Sequence, residues 1–182
     1  MFERSDEALV KQACNGKSKA WMTLIKRHEK PLYNYALRMV GDPDDALDLL
    51  QDIFISVFKS LSSFRGDSKF KTWMFRIAHF RCVEYYRRKK PLQSLDDEPE
   101  QVATDVFSCP EESIHRDKQS QQLAIAMQQL PINQRTVVEL KFFQHFTFDE
   151  IGKQLGVSSN TVKSRLYGAL DKLRTELEVD YV

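Results

Sequence analysis

Apolar residues recur every three or four positions along most of this 182-residue chain, and this spacing limits the possible folds more than any other feature. Spacings of three and four place side chains on one face of an α-helix. Strict apolar and polar alternation bounded by hairpin turns is nowhere found. The chain is therefore predicted to be all-α. The pattern is clearest where two runs flank Gly156: Phe148, Ile151, Leu155 and Val157, then Val162, Leu166, Ala169, Leu170 and Leu173.

Residues that start and stop helices divide this pattern into segments. Asp42 is placed to cap a helix whose first position is Pro43, and Pro91 ends the helix before it. Pro31 lies inside a longer segment and either kinks it or divides it in two. The predicted helices are 5–15, 18–40, 43–61, 68–90, 116–130, one from residue 131 and a final pair after residue 145.

The formal net charge of +1 conceals three segments of different charge. Residues 1–90 carry 18 basic and 11 acidic side chains. Residues 91–115 carry seven acidic side chains and no basic one, and residues 116–182 carry nine basic and eight acidic side chains. The middle segment also has three prolines and no periodicity, which is typical of an extended linker. We expect two small helical domains, 1–90 and 116–182, joined by an acidic flexible linker over 91–115.

Several classes of protein are disfavoured. No apolar stretch approaches the ~18 residues of a membrane span, so we expect a cytoplasmic protein that does not insert into the membrane. Three scattered cysteines and four scattered histidines offer neither a disulfide framework nor metal-ligand spacing. We expect no metal, no cofactor and no catalytic residue, because motifs for phosphate binding or nucleophilic catalysis are also missing.

The segment around Gly156 has the pattern of a helix-turn-helix. Gly156 is placed for a sharp turn, and Ser158 is placed to cap the second helix. A polar stripe then lies opposite the apolar one, and its amino-terminal residues suit base edges in the major groove. An ordinary solvated helix face would look similar. The stripe consists of Asn160, Lys163, Ser164 and Tyr167, with Arg165 beside it for phosphate.

The helix predicted over 43–61 has two distinct faces. One is an apolar stripe for the domain core: Ala46, Leu50, Ile53, Val57 and Leu61. The other is acidic with one apolar residue: Asp48, Gln51, Asp52 and Ile55. A plain surface helix and a partner-binding helix both fit this second face.

Ten basic residues and only two acidic ones lie between residues 59 and 90, with aromatic residues interleaved. Cations neutralise phosphates and aromatic rings stack on unpaired bases, so the segment is suited to single-stranded DNA. Four of its apolar residues share one helical face and are expected in the core: Phe70, Trp73, Met74 and Ile77. Arg76, His79, Val83 and Tyr86 occupy the opposite face, and these, with the loop 64–68, are the better candidates for DNA contact.

Motifs in both halves resemble the sigma-70 family of RNA polymerase sigma factors, particularly the extracytoplasmic-function (ECF) group. The amino-terminal motifs are Asp48-Leu49-Leu50-Gln51-Asp52-Ile53-Phe54 and Phe64-Arg65-Gly66-Asp67-Ser68-x-Phe70-x-Thr72-Trp73-x-x-Arg76-Ile77-Ala78. The carboxyl-terminal ones are Leu130-Pro131, Arg135, Val138, Leu140, Phe148, Glu150-Ile151 and Thr161-Val162-Lys163-Ser164-Arg165-Leu166. The order of these motifs is more specific than a helix-turn-helix alone.

The resemblance implies core RNA polymerase and promoter DNA as partners, and an anti-sigma protein is common in the family. It implies that residues 1–90 form a sigma-2-like domain, that residues 116–182 form a sigma-4-like domain, and that the linker passes through the polymerase interior. Core polymerase would contact Asp48, Gln51, Asp52 and Ile55. The minus-ten element would contact Phe64, Arg65, Asp67, Ser68, Arg76, His79, Tyr86, Arg87 and Arg88. The minus-thirty-five element would contact Ser159, Asn160, Thr161, Lys163, Ser164, Arg165 and Tyr167.

Two positions depart from the family pattern. Many relatives carry Asn where this chain has Phe80, which bears on minus-ten preference, and Ala is common at the position of Gly152, where we expect an effect on packing alone. The predicted function is that of an alternative sigma factor, which directs promoter recognition and DNA melting without covalent chemistry. The alternative is an autonomous helix-turn-helix regulator, which would bind promoters without polymerase.

Overall fold

A computed structural model of the chain describes residues 4–89 and 122–179, and the predicted linker 91–115 lies outside these residues. Every regular element in the described ranges is helical, which confirms the all-α prediction there. The helices are α1 (Asp6–Cys14), α2 (Ser18–Val40), α3 (Pro43–Ser60), α4 (Phe70–Lys89), α5 (122–128), α6 (Ile132–Val138), α7 (Phe148–Leu155) and α8 (Ser159–Val179). A short 3₁₀ turn, Leu61–Ser63, follows α3, and a π-helical turn, Glu139–Phe143, continues α6.

Local capping chemistry explains where these helices begin. The Ser5 side chain accepts a hydrogen bond from the Ala8 N–H, and the Asp42 carboxylate accepts from two backbone N–H groups at the start of α3. Pro31 neither divides nor ends α2, which is continuous through it. The helix expected from residue 68 begins two residues later, at Phe70.

The amino-terminal module, residues 4–89 of the structure, packs α1 to α4 around one apolar core. Tyr35 and Phe75 are fully buried and meet edge to face, with ring centroids 5.4 Å apart. The apolar stripe of α3 is buried as predicted, because all five of its residues are at most 8% exposed. Phe70 and Met74 are also buried, whereas Trp73 and Ile77 pack at the edge of the core.

The carboxyl-terminal module, residues 122–179, is built on α5 to α8. Val162, Leu166, Ala169 and Leu173 of α8 are buried against Ile151 of α7 and Val137 of α6. Leu170 was expected in this stripe, but it is 37% exposed. Its position on α8 is one residue past Ala169, about 100° around the helix, so it lies at the border of the buried face.

The two modules pack against each other within the described ranges. The carboxyl end of α2 contacts α6, and α4 contacts α7 and the segment that precedes it. The modules therefore share a junction, which places parts of the predicted DNA-binding surfaces close together.

Candidate functional site

The outer face of α3 carries the residues predicted to bind polymerase. Asp48, Gln51, Asp52 and Ile55 are all exposed, so the structure places the four side chains on one accessible surface. We call this surface the α3 face. It has two carboxylates and an apolar centre, because Ile55 is 46% exposed.

An apolar groove, which the sequence did not reveal, continues the α3 face toward the start of α2. Phe58 is 57% exposed, and its ring lies 5.1 Å from that of Trp21. Phe58 follows Ile55 by three positions, so the helical spacing could have indicated it. The groove encloses about 610 Å³ and is lined by Ala13, Trp21, Ile25, Phe54, Ile55 and Phe58 among others.

The loop between α3 and α4 presents three of its four predicted DNA-binding residues to solvent. Arg65, Asp67 and Ser68 are exposed, and Arg65 forms only a loose ion pair with Asp67 at 3.5 Å. Phe64 instead packs edge to face on Phe70, with centroids 5.6 Å apart. Phe64 therefore anchors the loop and offers only part of its ring to a ligand.

The predicted DNA-binding residues of α4 divide into exposed ones and two that are partly covered. Arg76 is exposed, and its guanidinium lies 5.9 Å from the ring of Phe80, which is itself 57% exposed. His79 and Tyr86 are half-buried at the junction between the modules. The Tyr86 hydroxyl donates to the Met39 carbonyl and accepts from Arg135.

Burial at the junction changes the protonation of His79. Burial, with a smaller contribution from the nearby Arg165 cation, lowers the pKa of His79 from 6.5 to about 4. The His79 Nδ1 atom is buried and has no hydrogen-bond partner among the described residues. His79 is therefore a neutral ring at pH 7 that contributes no charge to DNA binding in this arrangement.

The carboxyl end of α4 carries more positive than negative charge. Arg81, Arg87 and Arg88 all approach the single carboxylate of Glu84, at 2.6, 3.8 and 3.0 Å. Arg88 and, to a smaller extent, Arg81 lower the pKa of Glu84. Arg87 and Arg88 are 74% and 64% exposed at their side chains, so both remain accessible to phosphate.

The helix-turn-helix forms through the caps that the sequence indicated. Gly156 has a left-handed φ of +69° and ends α7, and the Ser158 hydroxyl accepts from the Thr161 N–H at 3.0 Å at the start of α8. A capping box of Thr147 and Glu150 starts α7, and its backbone N–H lowers the pKa of Glu150. The angle between the two helices is thus fixed by residues at their ends.

The polar stripe of α8 lies open to solvent. Asn160, Lys163, Ser164 and Tyr167 are exposed, as a base-reading face requires. Ser159 and Thr161 already have partners, because the Ser159 hydroxyl bonds to Asp149 and the Thr161 hydroxyl lies 2.9 Å from Ser158. Arg165 is half-buried, and its charge contributes to the lowered pKa of His79 in the other module.

Gly152 lies where the turn packs tightly against α7. A Cβ built on Gly152 would lie 2.8 Å from the carbonyl oxygen of Val157, inside the turn. Val157 also donates its N–H to the Gly152 carbonyl at 3.0 Å. The turn in this chain therefore approaches α7 more closely than an alanine would permit, so this position affects packing.

Two further observations concern the described residues alone. Within residues 4–89 and 122–179, no group of three His, Cys, Asp or Glu side chains is placed to hold a metal ion. In the same ranges, no helix is both long and apolar enough to cross a membrane.

Comparison with known proteins identifies the family. The model of sigma-70 region 2 matches residues 24–91, and that of sigma-70 region 4 matches residues 120–173. RNA polymerase sigma factor SigV of Bacillus subtilis is 30% identical over 156 residues, which cover 86% of this chain and 90% of that protein. This chain belongs to the sigma-70 family of RNA polymerase sigma factors.

Further relatives place this sigma factor in the ECF group, which confirms the resemblance stated above. The ECF RNA polymerase sigma factor SigW of Bacillus subtilis is 29% identical over 177 residues, with 92% of this chain and 94% of that protein covered. CnrH, solved with the cytosolic domain of CnrY, has a TM-score of 0.71 at 24% identity, and the match covers 97% of this chain and 99% of the CnrH chain. RpoE of Bartonella quintana, solved with the anti-sigma factor NepR, has a TM-score of 0.69 at 22% identity, and the match covers 89% of this chain and 99% of the RpoE chain. At these identities the solved structures show a shared fold.

Proposed function

We propose that this sigma factor binds core RNA polymerase through the α3 face and directs it to promoters that its two modules recognise. The observation that carries the proposal is the pairing of two accessible surfaces on one chain: the acidic α3 face and the polar stripe of α8. An autonomous regulator needs the second surface alone. The α3 face would then have no use.

The α3 face fits a basic helical surface on the polymerase. Asp48 and Asp52 are one helical turn apart, so they present two carboxylates to one side of a partner helix. The adjoining groove offers Ile55 and Phe58 for apolar contact at the centre of the interface. Charge complementarity would set the approach and register, and the groove would supply buried apolar area.

The amino-terminal module would hold the opened minus-ten element. The exposed loop residues Arg65, Asp67 and Ser68 would surround an extruded base, whose unstacking costs a few kcal/mol. Arg76, Arg87 and Arg88 would hold the phosphates, while Phe64 anchors the loop. His79 and Tyr86 would join this surface only when the modules separate.

The carboxyl-terminal module would read the minus-thirty-five element through α8. Asn160, Lys163, Ser164 and Tyr167 would face the bases and phosphates of the major groove. Ser159 and Thr161 would orient the start of α8 by their contacts in the turn. The domains would be those predicted, 1–90 and 116–182, with the acidic linker 91–115 passing through a basic channel of the polymerase. The protein would act in the cytoplasm, where polymerase works, and would catalyse no covalent step itself.

Charge reversal on the α3 face tests the polymerase contact. Asp48→Lys combined with Asp52→Lys should abolish co-purification with core polymerase while helical circular dichroism is retained. Glu29→Lys, on the exposed surface of α2, is the matched control and should co-purify normally. Unchanged co-purification of the double variant would remove this assignment.

Alanine substitution on α8 tests the minus-thirty-five contact. Lys163→Ala and Ser164→Ala should each weaken transcription from a cognate promoter by about 1–3 kcal/mol in apparent binding, the usual value of a good base contact. Substitution of single bases in the minus-thirty-five element shows which contact is lost. Equal weakening on every promoter variant would mean that these two residues touch phosphate alone.

A further inference from the structure

The amino end of α7 lies against the amino-terminal part of α8, where the residues proposed to read bases begin. The Ser159 hydroxyl, at the start of α8, donates to the Asp149 carboxylate. Four positions further along, the Lys163 ammonium lies 5.6 Å from the centroid of the Phe148 ring. Residues four apart share one side of a helix, and Phe148 and Asp149 are adjacent in α7. Two contacts in line therefore join the two helices here.

Phe148 is held in place by its own helix. It is the first residue of α7, directly after Thr147, and the capping box of Thr147 and Glu150 fixes where that helix begins. The ring of Phe148 is half-buried against the hydrophobic core of the module. Packing of this kind keeps a side chain in one rotamer. Phe148 therefore offers a fixed ring to the cations around it.

Lys163 has no comparable support. Its side chain is exposed, and no hydrogen bond or ion pair holds its ammonium within residues 4–89 and 122–179. A lysine side chain is a flexible four-carbon stem, and it loses conformational entropy when a ligand orders it. The ring of Phe148 is thus the feature of the described residues that limits where the Lys163 ammonium lies.

A ring is a suitable support for a cation that must still bind DNA. A cation within about 6 Å of an aromatic centroid is attracted by the negative face of the ring. Unlike a carboxylate, the ring does not neutralise the charge, and it leaves the N–H donors of the ammonium free for oxygen and nitrogen acceptors. Phe148 can therefore order Lys163 in advance and leave it competent to bind a base or a phosphate.

A second lysine approaches the same ring and weakens the hold on Lys163. The Lys141 ammonium lies 4.5 Å from the Phe148 centroid, and it donates to the Phe146 carbonyl at 3.4 Å. Lys141 is half-buried, whereas Lys163 is exposed. Like charges repel, so Lys141 discourages Lys163 from settling closer to the ring. Lys163 is consequently the cation of this pair that DNA can draw away from the ring.

We propose that Phe148 is a positioning residue for minus-thirty-five recognition, which acts by ordering the Lys163 ammonium before DNA arrives. This role rests on the proposed function, because Lys163 must be a DNA contact. The strength of minus-thirty-five binding then depends on an aromatic side chain of α7 that makes no base contact of its own.

The contact itself can be tested on the full chain without DNA. Protons near the face of an aromatic ring resonate upfield, so the ε-methylene signal of Lys163 should lie upfield of that of Lys153, an exposed lysine of α7. Phe148→Leu should remove this difference, and Phe148→Tyr should retain it. A Lys163 signal that coincides with the Lys153 signal in the parent chain would overturn the proposal.

Transcription with core polymerase and the full chain tests the consequence. Phe148→Leu should reduce transcription from a cognate promoter about two- to fivefold, as expected for an exposed cation–π contact. Phe148→Tyr keeps the ring and should restore the activity of the parent chain. In a chain that carries Lys163→Ala, Phe148→Leu should cause no further loss, because no ammonium remains to be ordered.

A matched control separates positioning from packing. Leu155→Met changes another half-buried apolar residue of α7, and it should have the same small effect with and without Lys163→Ala. Thermal unfolding checks that Phe148→Leu is folded, and Phe148→Met replaces it if it is not. A loss from Phe148→Leu that is equal with and without Lys163→Ala would show packing alone and would overturn the proposal, as would unchanged activity of the folded variant. A parent chain that gives no promoter-specific transcripts would overturn the proposed function as well.

Discussion

The two helices proposed to touch DNA differ in what covers them. The polar stripe of α8 lies in solvent above a single buried stripe, so one face packs and the other is free. The helix α4 is enclosed on two sides, because Met74 and Ala78 pack within its own module while Phe75 and Tyr86 also contact the other. The surface proposed on α8 is thus open, whereas part of the surface proposed on α4 is covered by the other module.

The largest expected effect comes from the residue that covers α4. Arg135→Met removes five donated hydrogen bonds and leaves buried carbonyls at Met39, Gln128 and Leu130 without this partner. We expect a loss of about 3–5 kcal/mol in the free energy of unfolding, measured in urea, because buried charged networks are costly to break. Arg88→Met, at an exposed ion pair, should cost no more than about 1 kcal/mol. Similar losses for the two variants would contradict the role given to Arg135.

A smaller loss of stability is expected at low pH, and it arises from His79 on α4. The pKa of His79 is lowered from 6.5 to about 4, so the folded chain binds fewer protons there than the unfolded chain. The stabilisation is complete above pH 6.5 and is lost as the pH falls toward 4, by up to about 3 kcal/mol. NMR titration should find His79 neutral at pH 5 in the parent chain. An ordinary pKa in the parent chain would show that the junction does not cover this ring.

The smallest effect concerns the turn that orients α8. Gly152→Ala places a methyl group 2.8 Å from the Val157 carbonyl, and the resulting shift should cost about 1–3 kcal/mol of stability in the carboxyl-terminal module. Gly168→Ala is the matched control: its nearest neighbour is the flexible end of Gln134, and alanine favours a helix interior. Thermal unfolding should show a lower midpoint for the first variant and an equal or higher one for the second. A tolerated Gly152→Ala would mean that the turn can relax.

The difference between α4 and α8 also explains how much of the structure could be predicted from the sequence. Periodicity identified the buried stripe of α3 and the exposed stripe of α8, because each helix has one packed face and one free face. Caps at Ser5, Asp42 and Ser158 located helix starts, since capping is a local interaction. For α4 the pattern could not tell which apolar residues belong to its own core and which to the other module.

The junction could not be predicted for a physical reason. Arg38 and Glu139, which form an ion pair across the junction, are far apart in the chain, and the local sequence pattern predicts that each is a surface charge on an amphipathic helix. Glu139 does follow buried Val137 and Val138 directly, and such a charge in an apolar run was the available signal. Phe64 was placed correctly in the loop, but its packing on Phe70 depends on tertiary structure.

Transcription in vitro with core RNA polymerase and this protein, followed by sequencing of the transcripts, is the direct test of whether the chain directs promoter recognition. We expect initiation at discrete sites that share two upstream elements, and loss of this initiation when Asp48 and Asp52 are both changed to Lys. Transcripts without shared elements, or the same start sites with and without the protein, would contradict it.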